Sequence, residues 1–189
     1  MASQSLWRIG IAGDIMLHVF DIPVMLVLYM LLKSVCRNLA LLGLLFNLTQ
    51  TAVLVANKSS LVMPLLLLGN ADYLQALEPG QLHALAYLFV RAHEYGFGIG
   101  LVFFGFTCLV QGYLLLRSGY FPRPLGVLMA IAGLSYLANS FSLILAPTYA
   151  ERIAPVLVIA LIGELSLSLW LIVKGVNLPE WEKRVPESA

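Results

Sequence analysis

Apolar residues fill this chain in five long tracts separated by short polar punctuation. A helix crossing a hydrocarbon layer about 30 Å thick needs about 20 residues at 1.5 Å each. The tracts at about 9–32, 39–68, 81–116, 125–145 and 155–173 all reach that length. The first ends at Lys33. The second is interrupted by Asn57, Lys58, Ser59, Ser60 and Pro64, and a kink is expected there because Pro64 has no N–H to donate to the carbonyl of Ser60. The third opens on Arg91, His93 and Glu94, runs through closely spaced glycines and stops at Arg117, Ser118 and Gly119. Pro124 sits where the fourth helix should start and Pro147 lies beyond its end. Between the second and third tracts, the segment near 71–78 predicts a short interfacial helix with Tyr73, Leu74 and Leu77 facing lipid, ended by Pro79 and Gly80. Residues 177–189 form a polar tail with Trp181 as an interfacial anchor. The pattern predicts an all-α, polytopic transmembrane helical bundle: a single transmembrane domain over 1–176, followed by the tail.

Composition strengthens that reading. The chain is 60% hydrophobic and 11% charged, with mean hydropathy +0.90, whereas about a quarter of a soluble domain is charged. A net charge of +1 offers no concentrated basic face, so nucleic acid is excluded as a partner and the lipid bilayer is the expected one. Cys36 and Cys108 fall at different depths and read as two free thiols. The first tract carries Asp14, His18 and Asp21 and outruns the apolar core of a cleaved signal peptide, so it is expected to be retained. Lys33, Arg37, Arg117, Arg123, Lys174, Lys183 and Arg184 fall on one side of the five spans, against Arg8, Lys58, Arg91 and Arg152 on the other. The bias places the N-terminus outside and the C-terminus in the cytoplasm.

Asp14, His18 and Asp21 are spaced i, i+4, i+7, so they share one helix face over about 10 Å. Ionisable groups at membrane depth normally turn inward and pair. On that ground Asn57, His93, Glu94 and Glu164 join them as candidate lining of one outward-opening polar pocket. Blander readings compete: Asp14 and Arg91 as interfacial charges, His93 as a helix-end histidine packed on Tyr95, Glu164 as a structural hydrogen-bond partner. His18, His93 and Glu94 are weak metal candidates. There is no HExxH or HxxxH, and adjacent residues such as His93 and Glu94 diverge around a helix. No cofactor is expected, and no GxSxG turn supports a nucleophile triad. Gly96 and Gly100, with Gly98, and Gly126 with Ala130, are close-packing pairs, serving either the monomer itself or a homodimer or larger membrane complex.

Several strings together, GYLLLRSG, FPRPLG, HEYG, and GE followed by SLW, resemble a bacterial family of uncharacterised polytopic membrane proteins, domain of unknown function 4386. The resemblance spans about Leu6 to Val176 and implies that Asp14, Asn57, His93, Tyr95, Gly96, Gly133, Tyr136, Gly163 and Glu164 are motif positions. His18 is not among them. It implies the bacterial inner membrane, and a further apolar helix before the equivalent of Ser5, so that six helices in the family become five here. It carries no reaction. The expectation is therefore a membrane protein, not assigned as an enzyme, whose pocket binds a small polar ligand or relays protons. The alternatives are a non-enzymatic accessory subunit of a larger membrane complex and a metal-dependent membrane hydrolase.

Overall fold

The computed structural model describes residues 2–69 and 71–185. The side chain of Tyr73 and the last residues of the tail, 186–189, lie outside the described residues. The helices are α1 (Ala2–Leu32), α2 (Arg37–Asn57), α3 (Ser59–Leu67), a 3-10 turn (Asp72–Ala76), α4 (Pro79–Ser118), α5 (Arg123–Leu145), α6 (Pro147–Ile153), α7 (Val156–Val173) and α8 (Leu178–Glu182). Five stretches are long and apolar enough to span a membrane: α1, α2 continued by α3, α4, α5 and α7. The chain is a multi-pass helical bundle. Its N-side end carries the start of α1, and its C-side end carries the α1–α2 turn, the α4–α5 loop and α8.

Helix α4 is the central post. Its 40 residues make it about 60 Å long, twice the hydrocarbon thickness, so its first turns stand clear of the core. It starts on Pro79 with a capping box, in which the Gln81 side chain accepts the Glu78 N–H at 3.0 Å, and ends on Gly119 at φ 76. The 3-10 turn ends at Ala76, before Pro79, and Pro79 opens α4, since a proline at the first helical position lacks only an N–H that would have had no helical partner. Pro147 likewise opens α6, a helix the apolar pattern did not separate from its flanking prolines.

On one side α4 packs against α2 and α3, with α1 outside them; on the other it packs against α5, with α7 outside that. In the α4–α5 seam the backbones touch. A Cβ on Gly133 would stand 2.6 Å from the carbonyl oxygen of Gly105, and one on Gly126 would stand 2.7 Å from that of Gly112. In lipid, where no hydrophobic effect drives helices together, such close van der Waals contact is the main source of helix association. Gly96 and Gly100 serve α2 in the same way. A Cβ on Gly100 would lie 2.5 Å from the Leu54 side chain, and one on Gly96 would overlap the Asn57 amide. Gly96 and Gly100 thus serve close packing within the chain.

The largest buried cluster lies toward the C-side. Cys108, Leu114 and Leu115 of α4 meet Leu32, Ala40, Leu125, Met129 and Leu167, and Tyr120 and Phe121 close it. Cys36 and Cys108 are free. The expected interfacial helix is a single 3-10 turn. Leu74 is 6% exposed and faces inward rather than toward lipid; five residues are too few to lay an apolar face on a membrane.

Candidate functional site

The site is organised by the break between α2 and α3. Lys58 N–H bonds to Val55 O at 3.1 Å rather than to the residue one full turn back, and Leu61 and Val62 N–H return to Lys58 O at 3.0 and 3.2 Å. The tightened turn sends two consecutive side chains to two neighbours. Asn57 reaches α4 and Lys58 reaches α1.

Lys58 is 4% exposed, and its ammonium is paired with the Asp14 carboxylate, which is 39% exposed. His18 Nε2 lies 3.9 Å from the other Asp14 oxygen and is buried without a hydrogen-bond partner among the described residues. Asn57 Nδ2 donates to His93 O at 2.8 Å and contacts His93 Nδ1 at 3.0 Å. The same His93 nitrogen also lies 3.3 Å from the Asn57 backbone carbonyl, so it accepts from the amide in one tautomer and donates to the carbonyl in the other. The His93 ring leans on Phe97, with centroids 6.4 Å apart. Asp14 opens into a cleft of about 530 Å³ between α1 and α3, lined with Leu6, Trp7, Gly10, Ile11 and Leu61. Trp7 Nε1 donates to Leu61 O at 2.9 Å, which fixes the indole as one wall.

Asp21 lies about two turns further along α1 and accepts a hydrogen bond from Thr51 at 2.8 Å. The shared face of Asp14, His18 and Asp21 is thus turned toward the α2–α3 span. Glu94 goes elsewhere. It pairs with Arg91, both nearly half exposed, and lines a separate cleft of about 230 Å³ with Phe97, Asn139 and Glu151. Glu164 accepts a hydrogen bond from Tyr136 across the α5–α7 contact. Neighbouring positions on a helix point about 100° apart, so the adjacent His93 and Glu94 face different partners. Asp14, His18, Asn57 and His93 gather around one break, while Glu94 and Glu164 belong to other contacts.

The sequence-derived list of lining residues omitted Lys58, Thr51 and Tyr136. Asn47, Gln50, Thr51 and Lys58 are all buried, together with Leu54, along one face of the α2–α3 span. Their spacing of three, four and seven is a polar stripe in an apolar helix, and it was there to be read. Among the described residues no three His, Cys, Asp or Glu side chains come together as a metal-binding group. The three weak metal candidates face three different partners, Asp14, Asn57 and Arg91.

The chain is similar to a protein of Archaeoglobus fulgidus described as uncharacterised, 27% identical over 171 residues, covering 90% of this chain and 86% of the relative. No solved structure matches. The model of the family described as Domain of unknown function (DUF4386) matches residues 1–175, every residue of the site included. This multi-pass membrane protein belongs to the DUF4386 family.

Proposed function

We propose that the protein binds a small polar molecule at the N-side cleft, with the Asp14–Lys58 pair as its polar floor and His18 beside it. The observation that carries this reading is a lysine 4% exposed at membrane depth whose one charge partner lines an open cleft of about 530 Å³. Desolvating an ammonium costs several kcal/mol, a cost a merely structural position would avoid with an apolar residue. The paired charges present a donor and an acceptor side by side, and Trp7, Leu6 and Ile11 supply apolar walls, the mix typical of small-molecule sites. The seven basic residues of the C-side end support an inner (cytoplasmic) membrane orientation with that end in the cytoplasm. The cleft then opens outward.

Gly10→Leu tests this. A Cβ on Gly10 meets nothing within 4 Å, so the larger side chain fills the cleft without disturbing the ion pair. Native mass spectrometry of protein purified in mild detergent should show a retained small molecule in the wild type and none in Gly10→Leu, with equal thermal stability. Equal occupancy in both refutes the site.

A second reading is favoured by α1. Only 11% of its most apolar window is buried, against 44% for α4, which suits an accessory subunit covered by a partner helix. Gentle purification decides: a stoichiometric partner protein supports that reading, and a lone chain opposes it.

A further inference from the structure

The C-side end of α1 gathers three polar side chains around one backbone carbonyl. Val35 N–H turns back to Leu32 O at 3.0 Å, so the Leu31 carbonyl loses its helical donor. Three side chains converge on it instead: Tyr120 O–H at 2.6 Å, Ser34 O–H at 3.2 Å and Trp181 Nε1–H at 3.3 Å. A carbonyl oxygen has two lone pairs. The short Tyr120 bond takes one and Trp181 can take the other, while the Ser34 hydroxyl also lies 3.2 Å from Tyr120 Oη and can turn between the two oxygens or toward an outside acceptor.

The Ser34 and Trp181 donors face a cleft of about 320 Å³ whose apolar wall is Val27, Met30 and Leu31, with Lys33, Ser34 and Trp181 at its mouth. The wall runs up α1 into the hydrocarbon, and the mouth lies where the helix ends. Lys33 is exposed and has no ion pair among the described residues. Nearby Glu180 is held by Lys183 at 2.6 Å. The loops and tail of this end carry the other six of the seven basic residues against Glu180, Glu182 and Glu187, so basic residues outnumber acidic ones there.

We propose that this cleft holds one anionic phospholipid, its acyl chain along Val27 and Met30, its phosphate on the Lys33 ammonium and the Ser34 hydroxyl, and the Trp181 indole at the glycerol level. The Lys33 ammonium and the rotatable Ser34 hydroxyl suit an acceptor, the excess of basic residues suits net negative charge, and the wall suits a hydrocarbon chain. An anionic lipid carries all three. A Lys or Arg near a membrane surface contributes about 1 kcal/mol of attraction to anionic lipid, about fivefold in affinity.

The test is native mass spectrometry of the delipidated full chain titrated with phosphatidylglycerol or phosphatidylcholine. The first phosphatidylglycerol should bind about fivefold more tightly than the first phosphatidylcholine, and Lys33→Gln should abolish that preference. Arg123→Gln, an exposed basic residue at the same end but outside the cleft, should leave it intact. Melting temperatures should match throughout, because neither side chain has an ion pair to lose. Equal binding of the two lipids overturns the proposal. So does an equal loss in Arg123→Gln, which would mean diffuse surface charge, and so does full competition by inorganic phosphate, which would mean a site for the free anion.

Discussion

The Asp14–Lys58 pair is asymmetric, and the asymmetry has a measurable consequence. Lys58 is 4% exposed and Asp14 39%. Removing one partner of a buried pair costs about 3–5 kcal/mol because the charge left behind is unpaired and desolvated. Asp14→Asn strands the buried ammonium, and with an amide oxygen still able to accept a hydrogen bond the loss should be near the lower end, about 3 kcal/mol. Lys58→Met strands a carboxylate that opens into the cleft and stays hydrated, so its loss should be about 1 kcal/mol. The double variant leaves no buried charge and should lie within about 1 kcal/mol of the wild type. For a chain of this size 1 kcal/mol shifts Tm by about 2–4 °C. Asp14→Asn should therefore melt about 6–12 °C lower and Lys58→Met about 2–4 °C lower. The assay is thermal unfolding in detergent followed by tryptophan fluorescence. If Lys58→Met proves the more damaging single change, or the double variant no better than Asp14→Asn, the reasoning from burial is wrong.

Three further outcomes are expected. Gly96→Ala should cost about 1–3 kcal/mol, since the new methyl overlaps the Asn57 amide, whereas Gly13→Ala meets nothing within 4 Å and should gain about 0.5–1 kcal/mol; the two melting curves check it. Tyr136→Phe and Glu164→Gln should each destabilise by about 1–3 kcal/mol, with a coupling of at least about 0.5 kcal/mol in a double-mutant cycle; additive losses would show that the bond between them contributes nothing. Burial pushes the Tyr120 phenol up, against smaller opposing effects of Ser34 and Arg184. A raised folded pKa gives a contribution fully present below the unfolded value, about 10, and lost as pH rises through the folded one. The wild type should therefore lose stability more steeply than Tyr120→Phe above about pH 10, read as Tm against pH.

The five spans were legible because twenty apolar residues in a row leave few alternatives to crossing a bilayer. Their ends were less so. Helix α1 begins at Ala2, not near Ile9, because Gln4, Ser5 and Arg8 continue the helix beyond the apolar tract. Helix α4 likewise extends past both ends of its tract. The face shared by Asp14, His18 and Asp21 followed from spacing alone. Which helix it met did not, since periodicity gives direction around an axis and says nothing of the neighbour. That is why Lys58 was placed at the right end of its span without being recognised as the counter-charge of Asp14. The hydrogen-bond partner of Glu164 was not recognised for the same reason. Its nearest group, Tyr136, was known only as a motif position.

The central claim is that the α2–α3 break ties α1 and α4 together through inward-facing polar side chains. Disulfide cross-linking in native membranes tests it most directly, in a Cys36→Ser, Cys108→Ala background. Asn57→Cys combined with His93→Cys should oxidise readily, because these side chains are in hydrogen-bond contact, while Asn57→Cys combined with Glu94→Cys should not. Efficient cross-linking of the Glu94 pair, with none at His93, would contradict the arrangement on which the proposed site depends.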